Sequence, residues 1–121
     1  MPAIGSAVGY VEEVSVASAA RTTSSDSGVL PGFGGASTLR VQLNVSAVSG
    51  TTQTLDVVIE DTLDGVNWNT VATFTQATAA TRQVVNVTVP FADRVRFRWT
   101  IGGTTPSFTF AVITASQSPS T

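Results

Sequence analysis

Apolar and polar residues take turns along most of this chain after its first third. In "STLRVQLNVSAV", Leu39, Val41, Leu43, Val45 and Ala47 alternate with Thr38, Arg40, Gln42, Asn44 and Ser46, the period of two that sends successive side chains to opposite faces of a half-buried strand. "TLDVVIEDT" repeats the pattern, with Leu55, Val57 and Ile59 on one face and Asp56, Val58 and Glu60 on the other. "RQVVNVTVP" turns Val85, Val87 and Val89 inward, and Pro90 closes that strand because it has no ladder donor. "DRVRFRWTIG" sets Val95, Phe97, Trp99 and Ile101 against Arg94, Arg96, Arg98 and Thr100, and "PSFTFAVITAS" places Phe108, Phe110 and Val112 on one side. The β-branched and aromatic residues of these runs suit a pleated surface.

Short turn-rich segments, "VSGTTQ", "LDGVN", "QATAAT", "PFAD" and "GGTTP", separate the runs at roughly ten-residue spacing, the rhythm of an antiparallel sandwich or barrel rather than of βαβ units. The expected fold is all-β: an antiparallel β-sandwich, jelly-roll-like or immunoglobulin-like, since both topologies share this rhythm. In the first third, residues 8–20 can hold a strand, and "RTTSSDSGVLPGFGGAS" reads as a long loop or extended arm. One domain is predicted, with an N-terminal strand and Gly/Ser-rich arm over residues 1–36, the sandwich core over 37–116 and a loose tail over 117–121.

Composition narrows the chemistry. With 121 residues, 42% hydrophobic and 12% charged, the chain can bury a core without a metal or disulfide and is too apolar to read as disordered. It has no Cys and no His, and its basic residues are all arginine, so thiolate and imidazole chemistry and a lysine Schiff base are excluded. A net charge of -2 argues against nucleic acid as a partner. No basic stretch precedes the first apolar residues, and Glu12 and Glu13 stand where a signal peptide's apolar core would lie; no export signal, no membrane span and synthesis in a cytoplasm are expected.

Only carboxylates remain as catalytic candidates. Glu60 with Asp61 or Asp64 is the pair that would do glycosidase-type work, but neighbouring strand residues point apart, so no enzyme is expected. "EDTLDG" offers oxygen ligands on a glycine-containing loop but lacks EF-hand spacing. Asp64 and Gly65 are read instead as the positive-φ turn of a tight hairpin, with no metal and no cofactor. Trp99 shares a face with Val95, Phe97 and Ile101 and is assigned to the core; Trp68, at the start of a strand, packs over the hairpin or offers a sugar-stacking face. Arg94, Arg96 and Arg98 project from one strand face about 7 Å apart. They pair across the sheet with Asp56 and Glu60, or present their forked guanidinium groups to an acidic partner.

The blocks "LRVQLNVSAVSGTTQTLDVVIEDTLDGVNWNTVATF" and "VRFRWTIGGTTPSFTFAV" resemble a family of small proteins encoded among the structural genes of tailed bacteriophages and prophages. The shared pattern is L-x-V-x-A-V-S-G-T at Leu43 to Thr51, an acidic D-S-x-D-G-x-x-W turn at Asp61 to Trp68, and R-x-x-W-x-x-G-G-T-x-P-S-F-T-F at Arg96 to Phe110. Thr62 and Leu63 stand where the pattern more often has Ser and Pro. The resemblance implies a virion structural component, foremost a head decoration (cement) protein bound as a homotrimer to the outer surface of the major capsid protein lattice. A tail or head-completion component, or a virion carbohydrate-binding module, is the alternative. It further implies the virion as location after synthesis in the host bacterial cytoplasm, and the major capsid protein as partner rather than nucleic acid or membrane. Candidate contact residues are Arg94, Arg96 and Arg98 and, on the N-terminal segment, Tyr10, Val29, Leu30 and Phe33. That segment either orders against neighbouring subunits or folds back across its own sandwich.

Overall fold

The computed structural model describes residues 10–34 and 38–117. These residues form β1 (Tyr10–Arg21), β2 (Ser25–Asp26), β3 (Thr38–Thr62), β4 (Trp68–Thr73), β5 (Thr81–Val87) and β6 (Arg94–Gln117), with every pairing antiparallel and no helix among them. β3 and β6 are far longer than an ordinary strand because each folds over midway and serves two layers. On one side of the fold, residues 38–49 of β3 pair with residues 107–117 of β6, giving the order β1-β6-β3-β5. On the other, residues 54–62 pair with residues 94–102, giving β2-β6-β3-β4. The chain changes layer at every step except the β3–β4 hairpin, which is the connectivity of a jelly roll. This decides between the two sandwich topologies that the strand rhythm left open.

The layers close on one apolar cluster. Leu39, Val41, Leu43, Val45, Phe108, Phe110 and Val112 meet Leu55, Val57, Ile59, Val95, Phe97 and Trp99. Trp99 stands edge-on to Phe110 across the seam, with ring centroids 5.4 Å apart, the arrangement that the ring quadrupoles favour. Arg21 covers this seam: its guanidinium lies 5.1 Å from the Trp99 centroid and 4.6 Å from that of Phe110, and donates to the carbonyls of Ala17, Ala19 and Phe110. Burial lowers the Arg21 pKa from its ordinary value, and carbonyl dipoles take the place of water around the charge.

The fold-over is built from two copies of one triplet. Gly50-Thr51-Thr52 and Gly103-Thr104-Thr105 carry matching backbone angles, φ of 119° and 50° at Gly50 and Thr52 and 114° and 44° at Gly103 and Thr105. Thr51 pairs with Thr104, Gly50 abuts Thr105 and Pro106, and Gly103 abuts Thr52 and Gln53. The two triplets are thus related by a local twofold. A positive φ at β-branched threonine is rare and is held here by the surrounding ladder. "VSGTTQ" and "GGTTP", expected as turns between separate strands, are instead this bend inside two continuous ones.

Two further expectations are corrected, and the fold-back expected as one course of the N-terminal segment is present. Ala47 is exposed rather than inward, because a register shift between Val45 and Ala47 inverts the alternation. Val89 is exposed because β5 ends at Val87, before Pro90. The Ser/Gly-rich segment is tied to the second layer: Ser25 and Asp26 pair with Trp99 and Arg98, Leu30 bridges Val95, and the Ser24 and Ser27 hydroxyls accept from the Ile101 and Phe97 amides at 2.8 and 3.0 Å. Serine side chains here stand in for ladder partners, which a search for alternating hydrophobicity does not register.

Candidate docking surface

The arginine row lies on the outer face of the second layer, where register decides its partners. Glu60 on β3 is opposite Arg96, Val58 is opposite Arg98 and Asp56 is opposite Thr100. Glu60 therefore takes both neighbouring guanidinium groups, at 2.8 Å from Arg96 Nε and 3.2 Å from Arg98 Nε. Asp56, one pair too far along, accepts from the Gln76 amide instead. Asp26 lies 3.9 Å from Arg96 on the β2 side, and Arg94 donates to the Leu63 carbonyl at 3.1 Å. The cross-strand pairing expected for Glu60 is present and that for Asp56 is not.

Trp68 completes the patch. A register shift between Ile59 and Glu60 pairs Trp68 with Thr62 and Thr70 with Glu60, and the Arg96 guanidinium lies 4.3 Å from the Trp68 ring centroid. One face of the indole is thus covered by a cation, which removes that face as a sugar platform. With the two arginines bonded to it, Glu60 is only 5% exposed although it sits on an outer face. A carboxylate so enclosed needs both charge-assisted bonds, since burial without them would leave its oxygens without partners. Two arginines, Arg96 and Arg98, face the two carboxylates Glu60 and Asp26, while Arg94 turns to the 63–67 loop. Arg98 is the most solvent-open of the ion-paired groups.

The hairpin between β3 and β4 has the five-residue loop 63–67, the "LDGVN" segment expected between the strands, but of Asp64 and Gly65 only the glycine takes the positive φ expected of both. Gly65 has the positive φ, 83°, and its missing Cβ leaves room for the Arg94 guanidinium. Asp64 acts through its carboxylate, which accepts from the Val66 and Asn67 amides at 2.8 and 2.7 Å, the Asn67 side chain at 2.7 Å and the Thr62 hydroxyl at 3.2 Å. These bonds, that from the Asn67 amide foremost, hold the Asp64 carboxyl well below the usual carboxylate range. With its folded value depressed, the group contributes stability that is complete above the unfolded value of about 4 and is lost as pH falls from there toward the folded value. Asp64→Asn should accordingly flatten the decline of stability below that pH, measured by denaturant titration at stepped pH. Three residues before Asp64, on β3, Asp61 points inward and accepts from the Ala92 amide at 2.8 Å, so Glu60 and Asp61 diverge to opposite faces. Among the described residues no three acidic, His or Cys side chains come together to hold a metal ion.

Of the N-terminal candidates, Phe33 is buried in the core and Leu30 packs against it, while Val29 is exposed. The Tyr10 backbone pairs with Gln117, and its side chain lies outside the described residues. Asp26, Leu63 and Val66 were not among the expected contact residues, although Asp26 joins the arginine patch and the other two lead the exposed apolar residues.

The fold itself has known counterparts. The crystal structure of the PBSX exported protein XepA is similar with a TM-score of 0.62 and 18% identity, over 92% of this chain and 37% of that one. A chain in the structure of infectious bursal disease virus, Gt strain, is similar at 0.60 and 12% identity over 98% of this chain and 38% of its own, and one from the Gx strain at 0.58 and 15% over 97% and 36%. The chain thus spans well under half the length of these proteins. No family model and no curated protein sequence matches it.

Proposed function

We propose that the chain is a structural protein of a bacteriophage virion that decorates the outside of the head, binding the major capsid protein lattice and stiffening it. The observation that carries the reading is the jelly roll itself: nearly the whole chain follows the fold of a chain from a virus structure, and its sequence blocks resemble phage structural proteins. The polar chemistry of its surface supports a binding role. Its buried carboxylates serve arginine pairing and loop amides, and no catalytic role is proposed for them. Copies meeting as trimers at local threefold positions would bind by avidity, each engaged site raising the effective concentration of the next.

The test is copy number relative to the major capsid protein in purified particles, with emptied heads alongside. Lattice stoichiometry retained on emptied heads is the expected result. A few copies per particle, or loss together with the tail, would overturn decoration in favour of a tail or completion component.

A further inference from the structure

Exposed large apolar side chains gather in two places among the described residues. Val14 and Val84 lie in one transverse row with Ile113 and Gln42 on the outer face of the first layer. The other four, Val29 at 54% exposure, Leu63 at 80%, Val66 at 77% and Val89 at 48%, all sit on loops 27–34, 63–67 and 88–93. Those loops share the end opposite the Gly-Thr-Thr fold-over, because Leu30 bridges Val95, Thr62 pairs with Arg94, and loop 88–93 leads directly into Arg94.

These loops are also tied to one another. The Asp93 carboxylate accepts from the Gly34 amide at 2.9 Å and its carbonyl from the Phe33 amide at 3.1 Å, joining loops 27–34 and 88–93. The Ala92 amide is held by Asp61, Arg94 grips the Leu63 carbonyl, and Asp64 fixes the backbone of its own loop. Polar groups thus satisfy the loop backbones while apolar tips face solvent. Such a surface loses little conformational freedom on binding, and apolar groups gathered on it mark a contact site more than scattered ones would. Its charge selects the partner. Asp64 and Asp93 outweigh Arg94, and the chain has no lysine, so an anionic lipid surface or nucleic acid is disfavoured.

From this geometry we infer that the loop end is the face that seats on the virion lattice, its apolar tips entering a depression of the partner protein rimmed by basic side chains. The inference rests on the decoration reading and adds the orientation to it. Hydroxyl-radical labelling of the protein free and on purified particles tests it. Leu63, Val66, Val29 and Val89 should be labelled several-fold less on particles, while Val14 and Val84 keep their free level. Leu63→Asp with Val66→Asp should melt as the native protein does yet rebind stripped particles at least about tenfold more weakly, since burying one large apolar side chain is worth at least that factor. Val14→Asp with Val84→Asp, equal in charge, should rebind normally. Unchanged labelling of the loop tips on particles, or loss of binding only in the second pair, would overturn the orientation and leave decoration standing. Absence of the protein from particles would remove both.

Discussion

Truncating Phe110 to alanine is expected to lower folding stability by about 3–5 kcal/mol. The ring is fully buried, lies edge-on to Trp99 at 5.4 Å and carries the Arg21 guanidinium 4.6 Å above it. Its removal leaves a cavity on the seam between the layers, where both sides belong to continuous β ladders and cannot collapse inward. It also strips one of the two rings beneath Arg21, leaving that charge on a hole. For a domain whose whole stability is about 5–15 kcal/mol, the variant would stand near the limit of folding. Denaturant unfolding followed by tryptophan fluorescence measures it; the midpoint should fall with an unchanged slope. A loss below about 1 kcal/mol would mean that the layers do not close over this ring.

Gly103→Ala should be the most damaging of the glycine substitutions. An added Cβ would stand 2.7 Å from the Gln53 Cα and 2.8 Å from the Thr52 carbonyl oxygen, with φ at 114°. Both obstacles are backbone, so no side-chain rotation relieves them. Unfavourable backbone and overpacking each cost about 1–3 kcal/mol, and the combined loss should be about 3 kcal/mol. Gly28→Ala is the internal control, because Gly28 also has a positive φ, 78°, but nothing within 4 Å of the added atom. It should lose only the conformational part, about 1 kcal/mol. Thermal melts of the two variants separate strain from crowding; equal losses would mean that the fold-over can open to admit a methyl group.

The two long strands were legible in the sequence because one face of each is buried over most of its length, which forces a period of two, and Leu39 to Val45, Leu55 to Ile59 and Val95 to Trp99 follow it. The layer arrangement was not. A glycine followed by two threonines reads as a turn whether the chain reverses there or bends and continues; only the partner strand, distant in sequence, decides. The arginine row could be placed on one face by alternation alone, but its pairing depended on register, so Glu60 was reached and Asp56 missed. Leu63 and Val66 were not among the contact candidates because isolated apolar residues in a polar loop carry no period. Their meaning comes from Val29 and Val89 lying at the same end.

The β3–β6 ribbon has a consequence for how the chain finds its fold. Its innermost pair, Thr62 with Arg94, already encloses β4 and β5, and its outermost, Thr38 with Gln117, encloses most of the chain. No part of the ribbon can nucleate as a local hairpin, so loop-closure entropy must be met before its contacts reward it. Among the pairings of the described residues only the β3–β4 hairpin is local, and its loop is the one organised by Asp64. The topology thus belongs with the slow, high-contact-order folders, and the same long-range registry that delays assembly means that, once closed, neither long strand can peel away without undoing both layers.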